Sequence, residues 1–417
     1  MKISKYNLFC KFKRNEYILH NMISKETVLL NKKEFKDFKN MSGDSDFCKE
    51  LLNSGFYIPN NQNEIIRIRE ENRQACQDYS NLNITLVPTF ACNFKCKYCY
   101  QNGLDNSIMK DEDIEVFIEF IKRRLSKYKS KSFHLSWFGG EPLLVYDIIY
   151  KTNKKILDFC VAKNIEFSSS ISTNLSLIDD KKAKLLKDVA VTRIETTLVG
   201  NEKTHNDLRV CNSLNSFECT KKGIMIAAKY FTVMVNMNFC KSNFHDIKNF
   251  LKHDNTLKQQ NIYLNFSEII NYKQNRFQVK QYKNCELKKL KLYCLALKNN
   301  WKICDITNFC SESIYCSYYH VNSFSIDNQL NVYKCAERFD ENTQIGIIDK
   351  HSYDCKYNAN YKDLYELEQS CLRCQFLPYC NGGCQVKRQQ NIKPCPEELT
   401  SVYKYLKLFV RRRTNDL

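Results

Sequence analysis

The segment Ile84–Tyr100, ITLVPTFACNFKCKYCY, decides how this chain is interpreted. Its first half is apolar and rich in β-branched residues, which predicts a buried strand over Ile84–Phe90. Cys92, Cys96 and Cys99 follow on one loop with the spacing CxxxCxxC. Three thiolates on a short loop can hold three irons of a 4Fe-4S cluster and leave the fourth iron without a protein ligand. A zinc site or three unrelated thiols are the alternatives at this point.

The composition is that of a globular protein of two or three domains, with 417 residues of which 43% are hydrophobic. No apolar run has the length of a membrane span, and the N-terminus lacks the apolar region of a signal peptide. We therefore expect a cytoplasmic protein with no membrane partner. In that compartment the 22 cysteines favour metal or redox use over disulfides.

The net charge of +18 allows binding to nucleic acid or to an acidic peptide. The lysines are dispersed along the chain, however, and the one compact basic run is Arg411–Arg413. We interpret the charge as solvated surface and expect no nucleic-acid partner.

The first eighty residues form a unit of short strands and helices. Strands are predicted at Tyr6–Cys10, Tyr17–His20 and Thr27–Leu30. Helices are predicted at 32–40 and 46–55, the second ending at Gly55 in a C-cap position. A charged helix or linker follows over 64–81.

From residue 84 onward strands alternate with helices, which predicts a parallel sheet with its functional groups at the carboxyl ends of the strands. The helices between them include Asp111–Tyr128 and Ile148–Lys163, and a long Lys-rich helix is predicted over Lys273–Asn300. The six predicted strands are Ile84–Phe90, Phe133–Phe138, Glu166–Thr173, Thr192–Thr197, Thr232–Phe239 and Tyr263–Ile269.

Polar residues and glycines follow several of these strands. After the second strand, Gly139 and Gly140 permit close approach of a ligand to the backbone, and their carbonyls together with the Glu141 carboxylate can receive an ammonium group. Arg209 offers a planar fork that suits a carboxylate. His205 is either a structural cap or a functional residue.

A second group of cysteines lies after residue 300: Cys310, Cys316, Cys335, Cys371, Cys374, Cys380, Cys384 and Cys395. Eight thiolates are the number that two 4Fe-4S clusters need. The run CLRCQFLPYCNGGC requires a tight loop, in which Gly382 and Gly383 permit positive φ. Zinc is the alternative, because CxxC pairs also build zinc sites.

Together these motifs resemble the radical S-adenosylmethionine (SAM) enzymes that carry a SPASM extension. The resemblance rests on CxxxCxxC, on Gly139-Gly140-Glu141-Pro142 for the family's GGEP, and on Thr173-Asn174 for its TN(G), with Leu175 in place of the glycine. It also rests on Thr197-Leu198-Val199-Gly200 for the family's S-L-D-G, in which Val199 replaces the aspartate. His205 to Arg209 correspond to H-D-x-x-R. Asn238 and Asn243 correspond to N-x-x-x-x-N, and Asn236 stands where the family frequently has Arg.

The resemblance implies an α/β fold. It consists of a winged-helix-like leader-peptide recognition domain over 1–80, a partial (β/α)6 radical SAM barrel over 81–300 and a Cys-rich SPASM domain over 301–417. It further implies SAM and three 4Fe-4S clusters as cofactors. The SAM-binding residues would be Tyr98, Gly139, Gly140, Glu141, Asn174, Thr197, Arg209 and Asn238.

The resemblance also implies which cysteines ligate each cluster. The first auxiliary cluster would be held by Cys310, Cys316, Cys335 and Cys384. The second would be held by Cys371, Cys374, Cys380 and Cys395. The family's glycine five residues before Cys335 is Leu330 here, and we expect Asn328 to take the turn instead.

The function implied is maturation of a ribosomally made peptide through a thioether or carbon–carbon crosslink. Its partners would be a precursor peptide, whose leader adds to an exposed strand edge, and a reductant such as flavodoxin or ferredoxin. An anaerobic sulfatase maturase is the alternative. That family carries an Asp directly after the cysteine that corresponds to Cys335, but the residue here is Ala336. A non-catalytic metal-binding protein that binds nucleic acid is the alternative of another class. No catalytic residue is identified; Glu337 and Asp327 are interpreted as surface carboxylates.

Overall fold

The structure is a computed structural model that describes residues 1–211, 215–271, 278–304, 316–359, 361 and 367–414. The chain divides into two compact units. The first contains Met1–Gln77 with the described parts of 305–320 and 363–417, and the second contains Asp78–Cys304 with the described parts of 321–362.

Strands and helices alternate through most of the chain. The strands are β1 Lys2–Ile3, β2 Asn7–Lys13, β3 Glu16–Asn21, β4 Thr27–Asn31, β5 Tyr57–Ile58, β6 Asn81–Leu86, β7 Lys95–Cys96, β8 Ser132–Trp137, β9 Glu166–Ser172, β10 Val191–Leu198, β11 Arg209–Val210, β12 Thr232–Phe239, β13 Ile262–Glu268, β14 Ser323–Ile326, β15 Asn331–Tyr333, β16 Gln344–Ile348 and β17 Cys355–Tyr357. The α-helices are α1 Lys32–Asn40, α2 Ser45–Asn53, α3 Glu64–Cys76, α4 Asp111–Tyr128, α5 Tyr146–Ala162, α6 Asp180–Asp188, α7 Glu202–Leu208, α8 Ser216–Ala227, α9 Phe244–His253, α10 Cys285–Lys298, α11 Gln369–Leu372, α12 Leu377–Cys380, α13 Gln385–Gln389 and α14 Val402–Arg413.

The first unit contains an antiparallel sheet in the order β2-β3-β4. The chain turns into α1 at Asn31, whose side chain accepts hydrogen bonds from the backbone of Lys33 and Glu34 while the Glu34 carboxylate accepts one from the Asn31 amide. This reciprocal capping box satisfies the free amides at the helix start. The predicted strands and helices are confirmed here, as is the left-handed Gly55, with φ +78°, after α2. The leader-recognition role of this unit stays a prediction.

The second unit is built on a mixed ten-stranded sheet in the order β13-β12-β10-β9-β8-β6-β14-β15-β16-β17. The six predicted strands correspond to β6, β8, β9, β10, β12 and β13, and each is parallel to its neighbours. The α/β fold predicted from the alternating pattern is therefore confirmed. The sheet is larger than predicted, because β14 adds to β6 in parallel and β15 to β17 continue it antiparallel.

Two predicted boundaries were wrong. The first strand ends at Leu86, not Phe90, because the chain leaves the sheet at Pro88, which has no N–H to donate to a neighbouring strand. The long helix predicted from Lys273 begins at Cys285 and ends at Lys298; residues 272–277 lie outside the described residues. Before that helix, the Val279 backbone pairs with the Asn271 side chain and so follows a non-helical path.

Residues along the parallel strands alternate between an apolar and a polar face. In β8 the side chains of Phe133, Leu135 and Trp137 are buried. The intervening His134 instead hydrogen bonds through its two ring nitrogens with Ser168 and Ser170 of β9, at 2.8 and 3.0 Å. The sheet thus presents one polar face. Among the described helices, none combines the length and apolarity that crossing a bilayer requires.

Candidate active site

A cavity of about 620 Å³ opens at the carboxyl ends of the parallel strands in the second unit. It brings together nearly all the residues that the sequence singled out in this unit. Those lining it include Cys92, Tyr98, Cys96, Cys99, Gly139, Gly140, Asn174, Thr197, Arg209 and Asn238. The strand ends therefore gather distant segments of the sequence into one place.

The cysteine loop is held by backbone pairing on both sides. At its start, the amides of Gly140 and Glu141 donate to the carbonyls of Thr89 and Ala91, at 3.1 and 2.8 Å. Further along, β7 pairs antiparallel with β11, which places Arg209 opposite Cys96. Two segments more than a hundred residues apart thus form one ribbon beside the cavity.

The glycine pair allows this close approach. A Cβ on Gly139, whose φ is +122°, would lie 2.4 Å from the Thr89 carbonyl oxygen. A Cβ on Gly140 would lie 2.2 Å from the Ala91 carbonyl oxygen. Glycine is therefore required at both positions because the stem of the cysteine loop occupies the space of a side chain.

Glu141 is fully buried and does not line the cavity. Its carboxylate accepts hydrogen bonds from the Leu143 amide at 2.8 Å, the Thr173 hydroxyl at 2.7 Å and the Asn174 amide at 2.7 Å. Burial raises its pKa, although these three donors oppose the shift. Glu141 therefore joins the ends of two strands, and its contact with an ammonium group stays a prediction.

Arg209 presents an incompletely paired guanidinium at the cavity. It is buried, its Nη1 donates to the Tyr98 hydroxyl at 3.4 Å, and its Nε has no partner among the described residues. Tyr98 also hydrogen bonds with the side chain of Asn238, and burial raises its pKa to about 12. A buried cation with a spare donor fits an anionic group of a ligand.

Asn174, which follows β9, connects the end of that strand with the cysteine loop. Its Nδ2 donates to Asn93 Oδ1 at 2.8 Å. The next residue, Leu175, has φ +62°, a left-handed conformation that costs a non-glycine residue about 1–2 kcal/mol. Gly223 of α8 makes room for it, since a Cβ there would lie 2.4 Å from the Leu175 carbonyl oxygen. The leucine thus adopts a backbone conformation that glycine reaches at lower cost.

Residues 86–253 match the family model of the radical SAM superfamily. This segment, which contains the cysteine loop and the glycine pair, is therefore a radical SAM domain. This superfamily uses SAM and a 4Fe-4S cluster. The motif resemblance and the match to the family model therefore agree.

The curated relatives are maturases. The radical SAM cyclopropyl synthase TigE of Paramaledivibacter caminithermalis is 28% identical over 196 residues, which are 43% of this chain and 41% of that protein. The match thus spans about two fifths of TigE. A cysteine-type anaerobic sulfatase-maturating enzyme of Clostridium novyi is 23% identical over 350 residues, 75% of this chain and 90% of that protein.

Two solved structures share the fold. Native anSMEcpe with bound AdoMet and Kp18Cys peptide has a TM-score of 0.60 at 20% identity, covering 80% of this chain and 98% of that one. Streptococcus suis SuiB bound to S-adenosylmethionine has a TM-score of 0.54 at 17% identity, covering 95% of this chain and 98% of that one.

The three cysteines of the radical SAM loop all line the cavity, and thiols are the residue type that ligates an iron–sulfur cluster. Among the described residues no three His, Cys, Asp or Glu side chains are grouped as ligands of a single metal ion, so the cluster on these cysteines stays a prediction. Cys92 as a residue is exposed at the cavity, but protein atoms surround its thiol, and this burial raises the pKa of the thiol to about 12. Burial also raises the pKa of Cys96. A thiol that stays protonated in the apoprotein becomes a metal ligand only by releasing its proton to solvent. Arg209 nearby lowers the pKa of both thiols and so favours the thiolates.

His205 and Asn243 are structural. His205 is not a cap, since Asn201 caps α7. It is fully buried against Phe217, and burial, then the charge of Arg209, lowers its pKa to about 2, so it is a neutral core residue. The buried Asn243 accepts from the Cys240 amide and donates to the carbonyls of residues 199 and 238. It thereby ties together the ends of β10 and β12.

The predicted auxiliary ligands are divided between the two units. The first unit contains Cys316, Cys371, Cys374, Cys380, Cys384 and Cys395, and the second contains Cys335. Cys310 lies outside the described residues. Burial raises the pKa of Cys380 to about 11, and the nearby Cys374, Cys371 and Cys395 contribute to the rise; that these four thiols hold one cluster stays a prediction.

The tight loop around these cysteines is as predicted. Gly382 and Gly383 have φ of +96° and +77°. A Cβ on Gly383 would lie 2.4 Å from the Pro394 carbonyl oxygen, and the Cys384 amide donates to that same oxygen at 2.9 Å. This contact brings the residue before Cys395 against the loop.

Two expectations about the segment before Cys335 were wrong. Leu330 itself adopts the left-handed turn, with φ +65°, and Asn328 instead donates to the Ser107 carbonyl at 3.0 Å. Asp327 is buried, not on the surface, and accepts hydrogen bonds from Tyr333 and from the Gln329 and Asn331 amides. A carboxylate with this many donors stabilises the β14–β15 turn.

Sequence reasoning missed several cavity residues. Glu337 is an exposed carboxylate, as predicted, and it also lines the cavity, as do Glu195 and Glu268. The Tyr100 hydroxyl donates to the Ala336 carbonyl at 3.2 Å and holds this segment beside the cysteine loop. The position of Glu337 directly after a strand–turn segment containing Cys335 was the one available signal.

Proposed function

We propose that this radical SAM protein matures a ribosomally made peptide by abstracting a hydrogen atom and closing a thioether or carbon–carbon crosslink. The observation that carries the proposal is the cavity, whose wall combines the three-cysteine loop, a buried arginine and several carboxylates. A 4Fe-4S cluster on Cys92, Cys96 and Cys99, with SAM bound, would supply a 5'-deoxyadenosyl radical there.

The residues of this chain would orient SAM. Arg209, with its spare Nε, would bind the methionine carboxylate, and the carbonyls at Gly139 and Gly140 would accept from its ammonium group. Asn238 and Thr197, at the ends of adjacent strands in the cavity wall, would contact the ribose hydroxyls. Tyr98 would hold Arg209 and Asn238 in place through its hydroxyl.

A peptide substrate is favoured by the structural neighbours. SuiB has been solved bound to precursor peptide SuiA, and anSMEcpe has been solved with the Kp18Cys peptide.

Closing a crosslink removes two hydrogens from the peptide. One leaves as a hydrogen atom, and the other leaves as a proton together with an electron. Glu337, an exposed carboxylate in the cavity wall, would accept the proton. The electron would pass to an auxiliary cluster; two such clusters are part of the proposal, with the ligand sets given above.

The N-terminal domain would bind the leader of the precursor. The strand order β2-β3-β4 leaves β4 at an edge of its sheet within the described residues, where an extended peptide can add a strand. Leu29 on β4 is a partly exposed apolar side chain, which can contact an apolar residue of a leader.

The test is a reaction with anaerobically reconstituted protein, a reductant, SAM and precursor peptides encoded beside this gene. We expect a peptide product lighter by two hydrogens, formed together with 5'-deoxyadenosine. SAM cleavage without any change in peptide mass would refute the crosslinking proposal. Iron analysis should give about twelve irons per chain for three cubane clusters; a few zinc ions without SAM cleavage would instead support a non-catalytic metal-binding protein.

An anaerobic sulfatase maturase is the second candidate, because the match to the Clostridium novyi enzyme covers 90% of that protein. Ala336 stands where the family resemblance expects an aspartate, so the proton acceptor would again have to be Glu337. Assay with a sulfatase-derived cysteine peptide separates the two, since formylglycine and a crosslink differ in mass and in reaction with aldehyde reagents.

A further inference from the structure

Arg388 is a mostly buried cation beside one of the proposed cluster ligands. It lies in α13, and 17% of its side chain is exposed. Its Nη2 donates to Cys371 Sγ at 3.8 Å and to the Gly382 carbonyl oxygen. Its Nη1 forms an ion pair with the Glu368 carboxylate.

The hydrogen bond to sulfur is set by the local fold. The Cys371 and Leu372 amides donate to the Glu368 carbonyl at 2.9 and 3.2 Å, so Glu368 precedes the turn that carries the cysteine. The Arg388 amide donates to the Cys384 carbonyl at 3.1 Å. The guanidinium is thus directed at Cys371 by both the cysteine-rich loop and the helix that follows it.

The reduction potential of an iron–sulfur cluster depends on net charge, hydrogen bonds to its sulfurs and solvent exposure. Reduction adds one negative charge to the cluster and its thiolates. A buried cation that donates to a ligand sulfur stabilises that added charge, because the screening by water is weak there. A neighbouring carboxylate has the opposite effect.

We propose that Arg388 raises the reduction potential of a cluster held by Cys371, Cys374, Cys380 and Cys395, and that Glu368 limits this rise. Arg388 is a positioning and tuning residue, not a catalytic one. This inference rests on the second auxiliary cluster that belongs to the proposed function, and it extends that proposal by naming what sets the potential of the cluster.

The experiment is a potentiometric titration of the full-length reconstituted protein, followed by EPR. The relevant reduction wave is first assigned as the one that disappears in Cys374→Ala. We expect Arg388→Gln to shift this wave to lower potential by at least a tenfold change in the reduction equilibrium, which is about 59 mV for a one-electron couple. Glu368→Gln should shift it to higher potential.

The control is Lys393→Gln, which removes an exposed positive charge from the same loop and should leave the wave within a few-fold of its original equilibrium. Unchanged potentials in Arg388→Gln, or shifts of the same sign in the arginine and glutamate variants, would overturn the inference. If Arg388→Gln binds no cluster, the inference is tested with Glu368→Gln alone. A potential that does not rise in this variant then overturns the inference. If no reduction wave disappears in Cys374→Ala, the cluster assignment itself is refuted. Peptide crosslinking would then still be judged by its own assay.

Discussion

Substitution of Gly140 by alanine probes the contact on which the radical SAM loop depends. The added methyl group would lie 2.2 Å from the Ala91 carbonyl oxygen and 2.3 Å from the Phe90 carbonyl oxygen. Ordinary contact begins at 3.4 Å, so the chain entering the cysteine loop would have to move by about 1.2 Å. Both atoms are backbone, and a rotamer change therefore cannot relieve the clash.

A displacement of about 1 Å at a reacting centre costs on the order of 100-fold in rate. We therefore expect Gly140→Ala to lower the rate of 5'-deoxyadenosine formation by about 100-fold. Overpacking of this kind also costs about 1–3 kcal/mol of folding free energy, which a urea titration would measure. Iron content, measured on the same sample, separates loss of the cluster from misplacement of a cluster that still binds.

Gly103→Ala is the matched control. Gly103 lines the same cavity and has φ +88°, but an added Cβ would meet nothing within 4 Å. This variant carries the strain of a left-handed alanine, about 1–2 kcal/mol, without a clash. If Gly140→Ala cleaves SAM within tenfold of the unsubstituted protein, or if both variants lose the same activity, the contact does not have the importance assigned to it.

Four further predictions concern two buried contacts, the pH dependence of iron loading and one carboxylate of the cavity. Gly223→Ala would place a methyl group against the Leu175 carbonyl and should cost about 1–3 kcal/mol of unfolding free energy; an unchanged urea midpoint would contradict this. Asn243→Ala leaves buried backbone groups unpaired, for a loss of about 1–3 kcal/mol in the same titration, and full stability would argue against its bridging role. Because burial raises the pKa of Cys92 to about 12, iron loading should increase from pH 7 to pH 9. The affinity for iron should rise about tenfold per pH unit for each proton released, and a flat pH profile would contradict this. Glu337→Gln should retain SAM cleavage but lose about 100-fold in crosslinked product, whereas equal losses in both would exclude a role in proton transfer.

The sequence predicted much of the fold because its signals are local. Six parallel strands and the helix Asp111–Tyr128 were placed within a few residues, since buried and exposed side chains alternate along each element. The N-terminal strands were found for the same reason. The exceptions were Pro88, which ended a strand early, and the segment before Cys285, whose backbone bonds to a side chain instead of forming a helix.

The roles of individual side chains were predicted less well. The sequence did not predict that the Glu141 carboxylate accepts three hydrogen bonds inside the protein, and its contact with a ligand stays a prediction. His205 fills a core position, and Glu337, which is exposed as predicted, lines a cavity that the sequence did not assign to it. Each of these outcomes depends on residues far away in the chain that no local pattern contains.

The sequence alone determined which thiols lie close together on one loop and where strands end, because ligand spacing and two-residue periodicity are properties of neighbouring residues. Only the tertiary structure decided that Gly223 makes room for a left-handed Leu175, that Arg209 lies opposite Cys96, and that β14 extends the sheet. These features arise where distant segments compete for the same space and the same hydrogen-bond partners, and such competition is settled only when the chain is packed.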